Sequence, residues 1–306
     1  MNMSKSTQNI IIRAFKLLFF VVCGIYVFDK IRFEGFELNY FLDTVDFAVF
    51  VLLMFLNWSL EAEKWKYLIR KTESISFLTS LKATLAGLSF GLLTPNRLGN
   101  FVGKVLYLKP ENRIEGSLFA LYGNLAQMIS TFLFGSICFL LSYKSYYSSM
   151  HPVLALLPLF FALALTGLFL FPHQFKLKFL EKVFSAKLLD SIHNLQYIEG
   201  KGMVLFLAIA RHIVFTMQYM IVLSYAPEFY FWQAFIAVQM IFFLTTMIPG
   251  LIFGKMMVRG PVAIFVLRTI GISSSFAISM VLFIWLINIG LPSLIASFLF
   301  LIKKRA

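Results

Sequence analysis

The apolar positions of this chain form long unbroken runs rather than amphipathic stripes. They fall at residues 14–28, 46–60, 78–94, 117–141, 152–172, 203–225, 231–249 and 274–302, with weaker stretches at 98–109 and 251–270. Most reach or approach the roughly 20 residues an α-helix needs to cross a bilayer. The pattern predicts an all-α polytopic membrane protein, one integral domain over residues 1–306. The first run follows Lys5, Arg13 and Lys16 and precedes Asp29 and Lys30, with no small-residue cleavage pattern, so it reads as an uncleaved span. The last contains Pro292, where it can kink.

The polar segments orient these runs. Residues 29–46 carry Asp29, Glu34, Glu37, Asp43 and Asp46 against Lys30 and Arg32. Residues 61–76 carry Lys64, Lys66, Arg70 and Lys71, and the chain ends in Lys303, Lys304 and Arg305. The loop at 173–202 is lysine-rich and reads as an amphipathic surface helix, with Lys176, Lys178, Lys182 and Lys187 near anionic lipid. The positive-inside rule places both termini and these basic loops in the cytoplasm. Parity then requires residues 77–110 to enter and leave on the inner side and residues 231–270 to do so on the outer side. Re-entrant hairpins and pairs of full crossings satisfy parity equally. Each of these regions is broken near its tip, at Thr94-Pro95-Asn96-Arg97-Leu98-Gly99 and at Ile248-Pro249-Gly250. The expected architecture is about six full transmembrane helices plus two Pro/Gly-broken hairpins. These form two inverted units, about 46–141 and 203–302. Interrupted helices at matching places in inverted halves point to a binding site near the bilayer midplane.

Composition sharpens the question of what would bind. The chain is 60% hydrophobic and only 13% charged, against roughly 25% charged in soluble domains, which excludes a soluble enzyme. Two cysteines, Cys23 and Cys138, both within spans, exclude a disulfide scaffold and read as small buried apolar residues. Yet the net charge is +13. Residues 77–110 hold Lys82, Arg97, Lys104 and Lys109 with no acid, and residues 231–270 hold Lys255, Arg259 and Arg268 with none either. A charge at membrane depth costs at least about 2.5–3.5 kcal/mol, so it must face a cavity or a partner. With few carboxylates nearby, the missing counter-charge is expected from a ligand. Phosphate suits it: Arg forks onto its oxygens and Lys supplies a point charge.

The candidates for that anion are Arg97, Lys104, Asn96, Asn100, Lys255 and Arg259. Arg97 and Lys104 are two helical turns apart with Asn100 between them, and Lys255 and Arg259 are one turn apart. Amide groups freed at the breaks Pro95, Gly99, Pro249 and Gly250 add donors. Secondary candidates are Lys82, Arg211, Arg268 and Glu61, with Lys82, Lys109 and Arg268 placed to snorkel. Glu61 is a candidate partner for a hairpin cation. Trp58 and Trp65 fit an interfacial belt. Asn124, Gln127 and Thr131 form a stripe that reads as interhelical hydrogen-bonding glue, and His212 reads as a packed histidine. There is no P-loop, H-E-x-x-H, cysteine cluster or G-x-S-x-G elbow, and neither cofactor, metal nor nucleic acid is expected.

At Asn57–Trp65, Thr94–Gly99 and Val258-Arg259-Gly260 the chain resembles the lysylphosphatidylglycerol synthase transmembrane-region family, also called flippase-like domain proteins. The T-P-N-R-x-G element with Gly103-Lys104 is the most specific part. The resemblance implies a bacterial inner-membrane protein that moves or presents lipids. It also implies a stand-alone member, since the aminoacyl-transferase domain of fused relatives does not follow. Relatives often carry an acid four positions before the second-half arginine, where Lys255 stands here. The function expected is a flippase or carrier for a phosphate-bearing lipid, of anionic phospholipid or polyprenyl-phosphate type. The alternatives are a transporter of a small anionic or amphiphilic solute and an intramembrane transferase on a lipid-linked substrate.

Overall fold

The computed structural model describes residues 44–92, 94, 99–146, 152–171, 199–227, 229–248 and 254–302, together with Ala14, Leu18, Val21 and Ile25, which are helical. Pro95, Asn96, Arg97, Pro249, Gly250, the surface helix expected within 173–202 and most of the first run lie outside these residues, as does the side chain of Lys255. The described residues are all-helical: α1 (Thr44–Ile69), α2 (Phe77–Leu92), α3 (Gly99–Val105), α4 (Arg113–Tyr146), α5 (Pro152–Leu170), α6 (Lys201–Leu223), α7 (Phe231–Met247), α8 (Gly254–Arg268), α9 (Ser274–Trp285) and α10 (Leu291–Ile302). The segments Thr44–Ile69, Pro110–Ser142, Val153–Leu170, Lys201–Leu223 and Ser274–Phe298 are long and apolar enough to cross a bilayer. They coincide with five of the six full spans read from the sequence.

The helices form where the apolar runs lie, and local chemistry trims their ends. Asp46 sits in the first turn of α1 and Lys66 in its last, each matching the helix dipole. Ser273 caps α9 by accepting the Phe276 amide at 3.3 Å. A π-helical turn at Leu286–Gly290 joins α9 to α10 just before Pro292, where the kink was expected.

The two broken regions each fold into a pair of helices, α2 with α3 and α7 with α8. At 16, 7, 17 and 15 residues these limbs fall short of the roughly 30 Å hydrocarbon core, the longest reaching about 26 Å. The first pair closes tightly because glycine faces glycine. A Cβ on Gly103 would strike the backbone of Gly87, and one on Gly87 would strike the carbonyl of Asn100. Backbones approach this closely only through small residues.

Packing has a two-fold pattern. The long helices α1 and α6 pack together and run antiparallel. Tyr225 donates to Asp46 at 2.7 Å, Gln218 to the Phe50 carbonyl at 3.1 Å and Arg211 to Asn57 at 2.6 Å, so partners descend along α6 as they ascend along α1. Exchanging α1 with α6, α2 with α7, α3 with α8 and α4 with α9–α10 carries the main packed pairs onto one another. Thus α2 lies on α10 as α7 lies on α4, and α3 lies on α4 as α8 lies on α9. Gly99 and Gly254, which open the second limbs, are 155 residues apart, and the same offset carries Asn100 onto Lys255 and Lys104 onto Arg259.

Candidate functional site

The contact between α1 and α6 gathers the charge. Glu61 of α1 is buried and receives three cations. Lys104 of α3 meets Oε1 at 2.7 Å, while Lys64 of α1 and Arg211 of α6 meet Oε2 at 2.7 and 3.0 Å. Lys64 and Lys104 are sealed from solvent, with side chains 2% exposed, whereas Arg211 is 22% exposed. One carboxylate against three cations leaves this cluster at a formal +2. Arg211 is held on more than one edge: Nε donates to Asn57 Oδ1 at 2.6 Å and Nη1 to Gln127 Oε1 at 3.3 Å. Its guanidinium carbon lies 5.3 Å from the Trp58 ring centroid, and the Lys104 ammonium lies 5.4 Å from that of Trp65. Both tryptophans are buried, so the interfacial belt expected of them gives way to a role beneath these cations.

Arg211 opens onto a cavity of about 170 Å³. Asn57, Trp58, Gln127, Thr131, Arg211 and His212 form one side. Phe215, Phe242, Thr246, Arg259, Asn288 and Ile289 complete it. The lining thus contains two arginines and no carboxylate. Arg259 arrives from α8, its guanidinium carbon 5.6 Å from the Phe215 ring centroid and 5.9 Å from that of Phe242. Its buried Nε has no hydrogen-bond acceptor, and the buried Oδ1 of Asn288 has no donor. Asn288 reaches the cavity from the π-helical turn, whose widened backbone interrupts the run of apolar side chains. His212 is packed as expected: its Nε2 lies 2.7 Å from Gln239 Oε1, and its ring stacks on Phe134. Because Gln239 also donates to Thr216 at 3.0 Å, its oxygen is left to accept, which makes Nε2 the protonated nitrogen of the ring.

The expected anion-binding set is therefore redistributed. Arg259 lines the cavity. Lys104, its counterpart in the first half, does not: it is paired with Glu61 in a closed pocket. Its place is taken by Arg211, a secondary candidate. Asn100 lies in the α2–α3 contact rather than at the cavity. Lys82 and Arg268 are exposed, as snorkelling cations would be. Gln127 serves as glue, donating to the Ala208 carbonyl at 3.4 Å, yet Gln127 and Thr131 also face the cavity. Asn57 and Asn288 escaped the sequence reading. The available signals were the one-turn spacing of Asn57 to Glu61 and a lone amide within an apolar run. Among the described residues no group of three or more His, Cys, Asp or Glu side chains is placed to hold a metal ion.

Two broken-helix pairs among long apolar helices define a polytopic all-α membrane protein with a cationic cavity at its centre. The family model for the lysylphosphatidylglycerol synthase TM region matches residues 13–296, and the chain belongs to that family. Membership ties it to lipid-related function in the membrane. No curated protein and no solved structure matches the chain.

Proposed function

We propose that the protein is a lipid flippase or lipid carrier. It moves a phosphate-bearing anionic lipid across the bacterial inner membrane with no accompanying chemistry, and its termini are cytoplasmic. The observation that carries this reading is the cavity with Arg211 and Arg259 in its wall and no carboxylate in its lining. Each arginine would be costly at this depth without an anion, and planar guanidinium groups match phosphate oxygens in pairs. Glu61 offsets part of the charge from behind Arg211, while Arg259 has no ion-pair partner among the described residues. The short limbs α2–α3 and α7–α8 act as re-entrant hairpins that bring Arg259 to the centre. The headgroup occupies the cavity, and the hydrocarbon chains extend from it toward the apolar surface.

The test is reconstitution of the full chain into vesicles containing a fluorescent anionic phospholipid, with leaflet exchange followed by quenching. The wild type exchanges the label, whereas Arg211→Ala/Arg259→Ala falls at least about a hundredfold toward the protein-free rate, as expected when two charge-assisted contacts are lost. Equal exchange by the two proteins excludes this site. Uptake of a water-soluble organic phosphate into vesicles lacking anionic lipid would instead identify a solute transporter.

A further inference from the structure

A second cavity lies along the same seam of helices. It measures about 330 Å³, about twice the arginine cavity, and is lined by α4, α7 and α8 together with the turn after α8. Its origin is geometric. Helix α7 packs on both α4 and α8, and these two flank α7 as walls with α7 as the floor. At one end the floor is closed, because Gly135 of α4 admits the ring of Phe243 where a Cβ would collide with it. Further along, α7 offers Ala237 and Met240, and the groove opens.

The chemistry of this groove differs from that of its neighbour. No charged side chain lines it. The hydroxyls of Ser142 and Thr269 donate to the Phe139 and Val266 carbonyls of their own turns, at 3.1 and 2.6 Å. The floor residues Ala237 and Met240 and the wall residue Val266 are buried, while Leu141 and Phe265 on the walls are exposed on the apolar surface. The two cavities lie at successive levels of the same helices: Phe242 lines one and Met240 the other, on opposite faces of α7, with the Phe243–Gly135 contact between them. Arg259 and Val266 are one α8 stretch of about 10 Å apart, and Thr131 and Leu141 are about 15 Å apart on α4. The packing of α4, α7 and α8 is thus cationic at one level and uncharged and mostly apolar further on, a separation that a lipid chain can span. The remaining polar lining residue, Gln233, is exposed at the start of α7, and the other lining side chains offer apolar contact.

We infer that the α4–α7–α8 groove is a binding site for one hydrocarbon chain, acyl or isoprenoid, of the lipid whose phosphate meets Arg211 and Arg259. The inference rests on the lipid reading of the arginine cavity, and the experiment separates the two. The purified full chain is titrated with an anionic phospholipid bearing a photoreactive diazirine at its chain end, and separately with sn-glycerol 3-phosphate as a chainless headgroup. The expected result is saturable labelling of peptides containing Leu141, Met240 or Val266. In Ala237→Trp, which fills the floor, that labelling is lost and lipid affinity drops about tenfold, with glycerol phosphate binding unchanged. Val266→Trp fills the groove from the opposite wall and repeats the test if Ala237→Trp does not fold. Labelling that rises without saturation, or that survives both substitutions, marks boundary lipid only and overturns the proposal. If glycerol phosphate does not bind the wild type while saturable labelling persists, the headgroup reading fails and the chain site stands.

Discussion

Glu61 is the residue on which the central charge balance turns. Its two oxygens are shared among cations from three helices, so its removal strands three positive charges together, two of them buried. Loss of one partner from a buried ion pair typically costs about 3–5 kcal/mol. Glu61→Ala is expected to lower the thermal midpoint of the purified protein by several degrees. Glu61→Gln combined with Lys104→Met removes one charge of each sign and is expected to recover much of that loss. A double variant no more stable than Glu61→Ala would show that the carboxylate is not balancing Lys104. This pairing was only half legible in the sequence. The hairpin cations stood out because no acid shares their segments, but pairing depends on which helix faces which. Local spacing could not reveal that Lys104 faces α1 while Arg259 faces an open wall.

At the scale of elements, glycine sets how close the broken pairs can come. Gly103 meets Gly87 backbone to backbone, so a side chain there must push α3 away from α2. Gly103→Val is expected to destabilise the protein by about 1–3 kcal/mol through overpacking and to weaken the Lys104–Glu61 contact, measurable as a lower thermal midpoint and faster proteolysis. An unchanged midpoint would mean that the helices do not pack as described. The elements themselves were largely legible. Apolar runs gave the long helices and Pro/Gly pairs gave the breaks, because both signals are local. The π-helical turn before Pro292 was not legible beyond a kink. No local pattern announces that Asn288 is turned inward; the turn that does this is set by packing of α9 and α10 against the rest of the molecule.

For the whole molecule, the two-fold pattern makes orientation a measurable property. Lys71 and Glu199 pair at 2.7 Å beyond the end of α1 and the start of α6, and this hydrogen bond holds the exposed Glu199 carboxyl below the usual carboxylate range. Asp46 and Tyr225 mark the opposite ends of the same two helices. A single cysteine at Lys71 is expected to react with a membrane-impermeant maleimide only from the cytoplasmic side, and one at Tyr230 only from the outside. The reverse pattern, or labelling of both from one side, would contradict the inverted arrangement read from loop charge. Parity and charge bias predict that orientation from local sequence, whereas the central position of Arg211 depends on how α1 and α6 pack against each other.

That antiparallel contact has a kinematic meaning. When two bodies turn against each other, points near the pivot barely move and points far from it sweep widest. Asn57 and Arg211 meet near the middle of both long helices, while Asp46, Tyr225, Lys71 and Glu199 lie toward their ends. A rocking of one half against the other would therefore open and close the rims while leaving Arg211 in place. The cargo would be held by a stationary grip, and its exposure to one leaflet or the other would be decided by the moving ends.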